Sequence, residues 1–231
     1  MHPYYKARAD QIAADFEVNL RLVWPEFEKV FPGLTRADLS PDFETAFRDV
    51  LSALPYVGGD DGRMTQYFES NTGVIALGRV LLARDAPRRV VANLLQKSFL
   101  ARLSDMDENE RYALGRAFMS DDSKAQLRAL SRASRKREAP GDFVYTYVEA
   151  GVDADGEPFE FGLDYQECGF CKLCAQTGDT NVLPMICGMD DESYGLRGVW
   201  LKRTQTLAEG ASHCNFRYRL MPEAKTENEG G

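Results

Sequence analysis

The chain has 231 residues, of which 44% are hydrophobic, and it carries a formal charge of -8 at pH 7. This hydrophobic content can bury a sizeable core without disulfides, so we expect a globular protein of one large or two small domains. The negative charge disfavours a general nucleic-acid binder, because the phosphate backbone favours a basic surface. No stretch approaches the roughly 18 apolar residues of a membrane span, and the N-terminus lacks a signal-peptide core, so we expect a cytoplasmic protein.

Residues 1–139 have the apolar periodicity of amphipathic helices, with hydrophobic positions recurring at intervals of three and four. Ser40 and Pro41 are expected to form the N-cap and first turn of the second helix. A later helix is expected to begin near Pro87. The other predicted helices cover about residues 12–23, 43–54 and 64–84.

The final helix of this region, over residues 121–138, is basic, because six Lys or Arg side chains face three Asp or Glu side chains. Its acidic residues come first and its basic residues last, which complements the helix macrodipole and favours a solvated helix ending before Pro140. A patch that binds nucleic acid or a partner protein is the less favoured alternative.

After Pro140 the apolar period changes to two, which predicts an antiparallel sheet over residues 140–221, followed by a disordered tail over residues 222–231. The Asp155-Gly156 pair between two alternating segments predicts a hairpin. The predicted strands are residues 143–147, 159–163, 199–206 and 214–220. The expected fold class is therefore α+β, with an N-terminal helical half and a C-terminal antiparallel β-sheet that contains a cysteine-rich crossover.

The cysteines are clustered, with four of the five at Cys168, Cys171, Cys174 and Cys187. In a reducing compartment such thiols indicate metal ligands or reactive groups rather than disulfides. In a tight loop, CxxCxxC spacing suits zinc or an iron-sulfur cluster; without a metal, no cofactor is expected. In a helix the same spacing spreads the thiols over about 120°. Some of the thiols would then be small core residues instead.

The fifth cysteine, Cys214, opens the last predicted strand. Alternation along that strand places Cys214 on one face with Phe216 and Tyr218, and His213 and Arg217 on the other face. Cys214 is therefore expected either to fill the core or to form the floor of a pocket.

Four separated blocks in the last third resemble the ordered signature of the L-2-amino-thiazoline-4-carboxylic acid hydrolase family. The blocks are Asp164 to Cys168, Leu183 to Asp190, Arg203 to Gly210, and Cys214 to Tyr218. Asn215 stands where the pattern typically has Asp, and Cys171 and Cys174 are additional to it. The resemblance implies a hydrolase with a small-molecule substrate, which converts a carboxylate-bearing cyclic amidine to an N-carbamoyl amino acid. The resemblance does not determine the oligomeric state, and a homo-oligomer is compatible with it.

Hydrolysis of an amidine requires a nucleophile, a proton donor and a carboxylate to hold the amidinium. The candidate catalytic residues are Cys187, Cys214, Asp190 and Glu167, and the candidate substrate-binding residues are Arg203 and Arg217. The candidate metal ligands are Cys168, Cys171, Cys174 and Cys187. In one mechanism a cysteine thiolate attacks the amidine carbon directly, and in the other a metal-bound hydroxide attacks it. The alternative functions are a non-hydrolytic or redox metal-binding protein and a partner-binding helical module.

Overall fold

The helical half is built around α3, most of whose residues are buried. This helix contacts its three long neighbours in the computed structural model, which describes residues 1–222. The helices of this half are α1 (Pro3–Val30), α2 (Arg36–Ala53), α3 (Thr65–Ala83), α4 (Arg88–Asp105), α5 (Glu108–Phe118) and α6 (Asp121–Ser134). No helix among the described residues is long and apolar enough to cross a membrane.

The C-terminal half is a four-stranded antiparallel sheet with strand order β1-β2-β4-β3. Three short helices connect β2 to β3 and carry most of the cysteines. The strands are β1 (Val144–Val152), β2 (Pro158–Glu167), β3 (Val199–Lys202) and β4 (Cys214–Leu220), and the short helices are α7 (Gly169–Thr177), α8 (Leu183–Cys187) and α9 (Asp190–Gly195). The expected α+β fold is confirmed.

The β1–β2 hairpin forms where the sequence predicted it. The Asp153 carboxylate accepts hydrogen bonds from the backbone N–H groups of Asp155 and Glu157, each at 2.9 Å. Gly156 adopts a φ of 84°, a left-handed conformation that glycine tolerates best. These contacts fix the register in which Gly151 faces Phe159.

Two of the element boundaries that differ from expectation have a local cause. Helix α2 begins earlier than the predicted Ser40-Pro41 start, because Thr35 and Asp38 form a capping box and Pro41 lies inside the helix. The third strand ends at Lys202, because the chain that follows donates its N–H groups to the Asn215 side chain instead of to a strand. The predicted tail lies outside the described residues, apart from its first residue.

The sheet face that contains Cys214 is buried. Cys214, Phe216 and Tyr218 are each 9% exposed or less, in the alternation expected for β4. The ring of Phe118, at the end of α5, lies 5.2 Å from that of Tyr218. Helix α6 packs on β1, and Leu127 belongs to the same buried cluster. The aromatic layer therefore holds β4 in a fixed position beneath the helices.

Arg79 joins α3 to the turn between α7 and α8. Its guanidinium donates to both oxygens of Asp179, at 2.9 and 2.7 Å, and Asp179 is only 3% exposed. We expect Arg79→Met to lower the free energy of unfolding by about 3 kcal/mol, because it leaves a buried carboxylate unpaired. Urea denaturation measures the loss. Arg48→Met, which removes an exposed pair with Glu44, should cost less than about 0.5 kcal/mol. Equal losses in the two variants would contradict this account.

Candidate active site

A cavity of about 140 Å³ lies where α3, the crossover helices and β4 meet, and three cysteines line it. Cys168 precedes α7, Cys187 ends α8 and Cys214 begins β4. Thiols from the crossover and from the last strand therefore share one cavity, together with Asp190 and Arg203.

Cys214 is held by the turn that precedes β4. Its sulfur accepts a hydrogen bond from the backbone N–H of Leu207 at 3.2 Å. Leu207 begins a short 3-10 turn that Thr206 caps by accepting from the backbone N–H of Glu209. Burial raises the pKa of the Cys214 thiol, while the Leu207 N–H and the positive charge of Arg203 lower it. The net effect is a raised pKa of Cys214, which these two groups partly offset.

Arg203 connects the two sides of the crossover. It donates to the Asp190 carboxylate at 2.6 Å and to the backbone carbonyl of Cys187 at 2.8 Å. Its guanidinium also lies 4.9 Å from the centre of the Phe216 ring. With 9% of its side chain exposed, Arg203 is a fixed part of the site. Because Arg203 already pairs with the Asp190 carboxylate, its guanidinium is not a free anchor for a substrate carboxylate.

Asp190 is the titratable carboxylate of the cavity. About a third of its side chain is accessible, and Asp190 lines the cavity. Burial raises the pKa of Asp190 to about 6, and the contact with Arg203 partly offsets this effect. A carboxyl group with such a pKa can both accept and donate protons near neutral pH.

Cys187 has no comparable stabilisation of its thiolate. Burial and the nearby Asp190 raise its pKa to about 12, with only Arg203 acting in the opposite direction. Cys187 is therefore a protonated thiol in the wall of the cavity.

The remaining cysteines lie on α7, so the CxxCxxC segment is helical and not a tight loop. The Cys168 thiol donates to the sulfur of Cys171. This contact and burial raise the pKa of Cys168, whereas the same contact lowers the pKa of Cys171 against the opposing effect of burial. Cys174 is fully buried in the core. Within residues 1–222, no group of three or more His, Cys, Asp or Glu side chains is placed to hold a metal ion. The zinc or iron-sulfur hypothesis remains a prediction for elemental analysis.

Of the expected catalytic and substrate-binding residues, two do not line the cavity. The Glu167 carboxylate accepts hydrogen bonds from Lys172, at 2.6 Å, and from Arg137. These contacts lower the pKa of Glu167 and keep it ionised. Arg217 pairs with Asp164 at 2.7 Å, on the face of the sheet opposite to Cys214. In the structure these charges connect secondary-structure elements.

Asn215 has a structural contact that accounts for the amide at this position. Its side-chain oxygen accepts from the backbone N–H groups of Thr204 and Gln205, each at 3.0 Å, and its nitrogen donates to the Thr204 hydroxyl at 2.7 Å. An ionised Asp could not make the last contact as a donor. Asn215 therefore holds the segment after Arg203 against β4.

The cavity also contains residues that the sequence interpretation missed. Arg63, Tyr67 and Asn71 line its helical side. Tyr67 and Asn71 are one turn apart on α3 and share one face of that helix, and Arg63 lies in the turn just before it. No sequence pattern singled out these residues.

These features define an α+β protein with a small-molecule cavity lined by thiols and a carboxylate–guanidinium pair. The family model described as L-2-amino-thiazoline-4-carboxylic acid hydrolase matches residues 88–218, more than half of the chain. The chain belongs to this family. No curated protein and no solved structure matches this chain.

Proposed function

We propose that the protein is a hydrolase that opens a small cyclic amidine, with Cys214 as nucleophile and Asp190 as the group that transfers protons. The observation that carries this proposal is the shared cavity, in which the Cys214 thiol lies with the Asp190–Arg203 pair. Membership of the family supports a thiazoline-like substrate.

In the first half of the reaction, Asp190 accepts the proton of Cys214, and the thiolate forms a bond to the amidine carbon. A bound amidinium assists this step, because its positive charge lowers the pKa of the nearby thiol. The bond between that carbon and the departing ring atom then breaks. The departing atom takes its electron pair and receives the proton from Asp190.

In the second half, a water molecule attacks the same carbon and gives a proton to Asp190. The bond from carbon to the Cys214 sulfur breaks, and the sulfur leaves with its electron pair and is reprotonated by Asp190. The overall reaction converts the substrate and one water molecule to an open-chain carbamoyl product and leaves the protein unchanged. Arg203 holds the Asp190 carboxylate in place throughout.

Purified protein should convert 2-amino-thiazoline-4-carboxylate to its carbamoyl product, measured by chromatography with mass detection. The kcat/KM should fall as the pH drops through about 6, because Asp190 then becomes protonated and can no longer accept the thiol proton. Absence of turnover of cyclic amidines by folded protein would contradict the proposal. A profile that stays flat down to pH 4 would remove Asp190 from the mechanism.

A further inference from the structure

Arg63 places a positive charge in the cavity without a carboxylate partner. It is half-buried, lines the cavity, and makes no ion pair with another residue of the range 1–222. Burial opposes the charge of Arg63, while the tyrosines Tyr67, Tyr165 and Tyr145 favour it and raise its pKa. Arg203, by contrast, already has a carboxylate partner in Asp190. Arg63 is therefore available to bind an anion.

Asn71, which also lines this cavity, carries an unpartnered acceptor. The residue is 3% exposed, and its amide nitrogen donates to the backbone carbonyl of Tyr67 at 2.9 Å. Its amide oxygen is buried and has no hydrogen-bond partner in the described part of the chain. A buried acceptor left unpaired costs about 1–3 kcal/mol, so an N–H donor from a ligand would be favoured there.

The two groups lie on one wall. Tyr67 and Asn71 are one turn apart on α3, Arg63 lies in the turn just before this helix, and all three line the cavity. The wall formed by Arg63, Tyr67 and Asn71 is here called the α3 wall. The thiol of Cys214 comes from the sheet instead, so the reacting group and these polar groups belong to different elements of the fold.

We propose that the α3 wall selects the substrate, with Arg63 binding a carboxylate and the Asn71 amide oxygen accepting an N–H group of the same molecule. The proposal rests on the proposed function for the site of reaction, and it assigns recognition to residues that lie outside the reacting set. The substrate class is an amino-acid-derived heterocycle in which a carboxylate accompanies an N–H donor. A guanidinium suits the carboxylate because it offers two parallel N–H donors.

The test pairs two ligands that differ only in the carboxylate: 2-amino-thiazoline-4-carboxylate and 2-amino-thiazoline. For Arg63→Met we expect the KM of the carboxylate to rise about 50-fold with little change in kcat, which is the effect of losing a charge-assisted hydrogen bond. The kinetics of 2-amino-thiazoline should stay unchanged. The control is Arg84→Met, since Arg84 donates to Asp42 outside the cavity. An equal effect on both ligands, or none, would overturn the role of Arg63.

Binding measurements separate this proposal from the proposed reaction. Titration calorimetry on the Cys214→Ser variant, with and without Arg63→Met, measures the affinity for both ligands without requiring turnover. Loss of affinity for the carboxylate alone supports the α3 wall even if no hydrolysis is seen. Asn71→Leu should weaken both ligands about tenfold. If Arg63→Met does not fold, Arg63→Lys gives the same comparison, with a smaller loss that is again confined to the carboxylate.

Discussion

Replacing Cys214 by serine is expected to lower kcat at least about 1000-fold, the scale seen when a nucleophile is removed. The Leu207 N–H and the charge of Arg203 favour a thiolate at this position. A serine hydroxyl ionises far less readily than a thiol, so the same surroundings cannot produce a comparable nucleophile. Steady-state kinetics with 2-amino-thiazoline-4-carboxylate measure the effect.

Two further cysteine variants test whether the loss of kcat is specific to Cys214. Cys171→Ser should keep near-normal kcat, because Cys171 does not line the cavity. Cys187→Ser should keep measurable activity, because Cys187 serves as wall and not as nucleophile. If Cys187→Ser is inactive and Cys214→Ser is active, the nucleophile is Cys187. If both variants are fully active, neither Cys187 nor Cys214 is the nucleophile. Mass spectrometry of quenched wild-type protein should show the covalent adduct on Cys214.

Asp190→Asn is expected to lower kcat by about 100- to 10,000-fold, the usual contribution of a positioned acid–base group. The amide is close in shape to the carboxylate and can still accept from Arg203, so the loss reports proton transfer and not collapse of the site. The residual activity should also lose its dependence on pH near 6, because the group with the raised pKa is gone.

Glu167→Gln is the matched control for that variant. Glu167 is a carboxylate in the neighbouring block, yet it is paired with Lys172 and Arg137 and lies outside the cavity. Its substitution should change kcat less than about threefold and leave the pH profile as in the wild type. A loss as large as that of Asp190→Asn would show that the site extends to Glu167, contrary to the geometry.

Hydrophobic periodicity predicted most of the fold, because burial of one face controls both helices and strands. Alternation along β4 assigned Cys214 and Phe216 to the buried face, and both are buried. The start of α2 was wrong for a local reason. Pro41 is compatible with a first turn, but the capping box of Thr35 provides two hydrogen bonds one and a half turns earlier.

The site was harder to predict, because its two sides are far apart in the chain. The blocks around Asp190 and Arg203 could be recognised from their resemblance to the family signature, and the structure brings them into contact. Arg63 and Asn71 precede those blocks by more than 90 residues. Whether these two residues lie near the sheet depends on how α3 packs, and no local sequence pattern encodes that packing. Alternation along β4 also predicted that Arg217 lies on the face opposite Cys214, and there it pairs with Asp164.

The match to the family begins at residue 88, downstream of α3. The cavity is therefore assembled from a stretch that the family model covers and a stretch that it does not. If the α3 wall selects the substrate as proposed, changes in it should alter substrate preference and leave the chemistry of Cys214 and Asp190 intact. For protein engineering, mutant libraries confined to residues 63–71 are accordingly the most direct way to change the substrate preference of this protein.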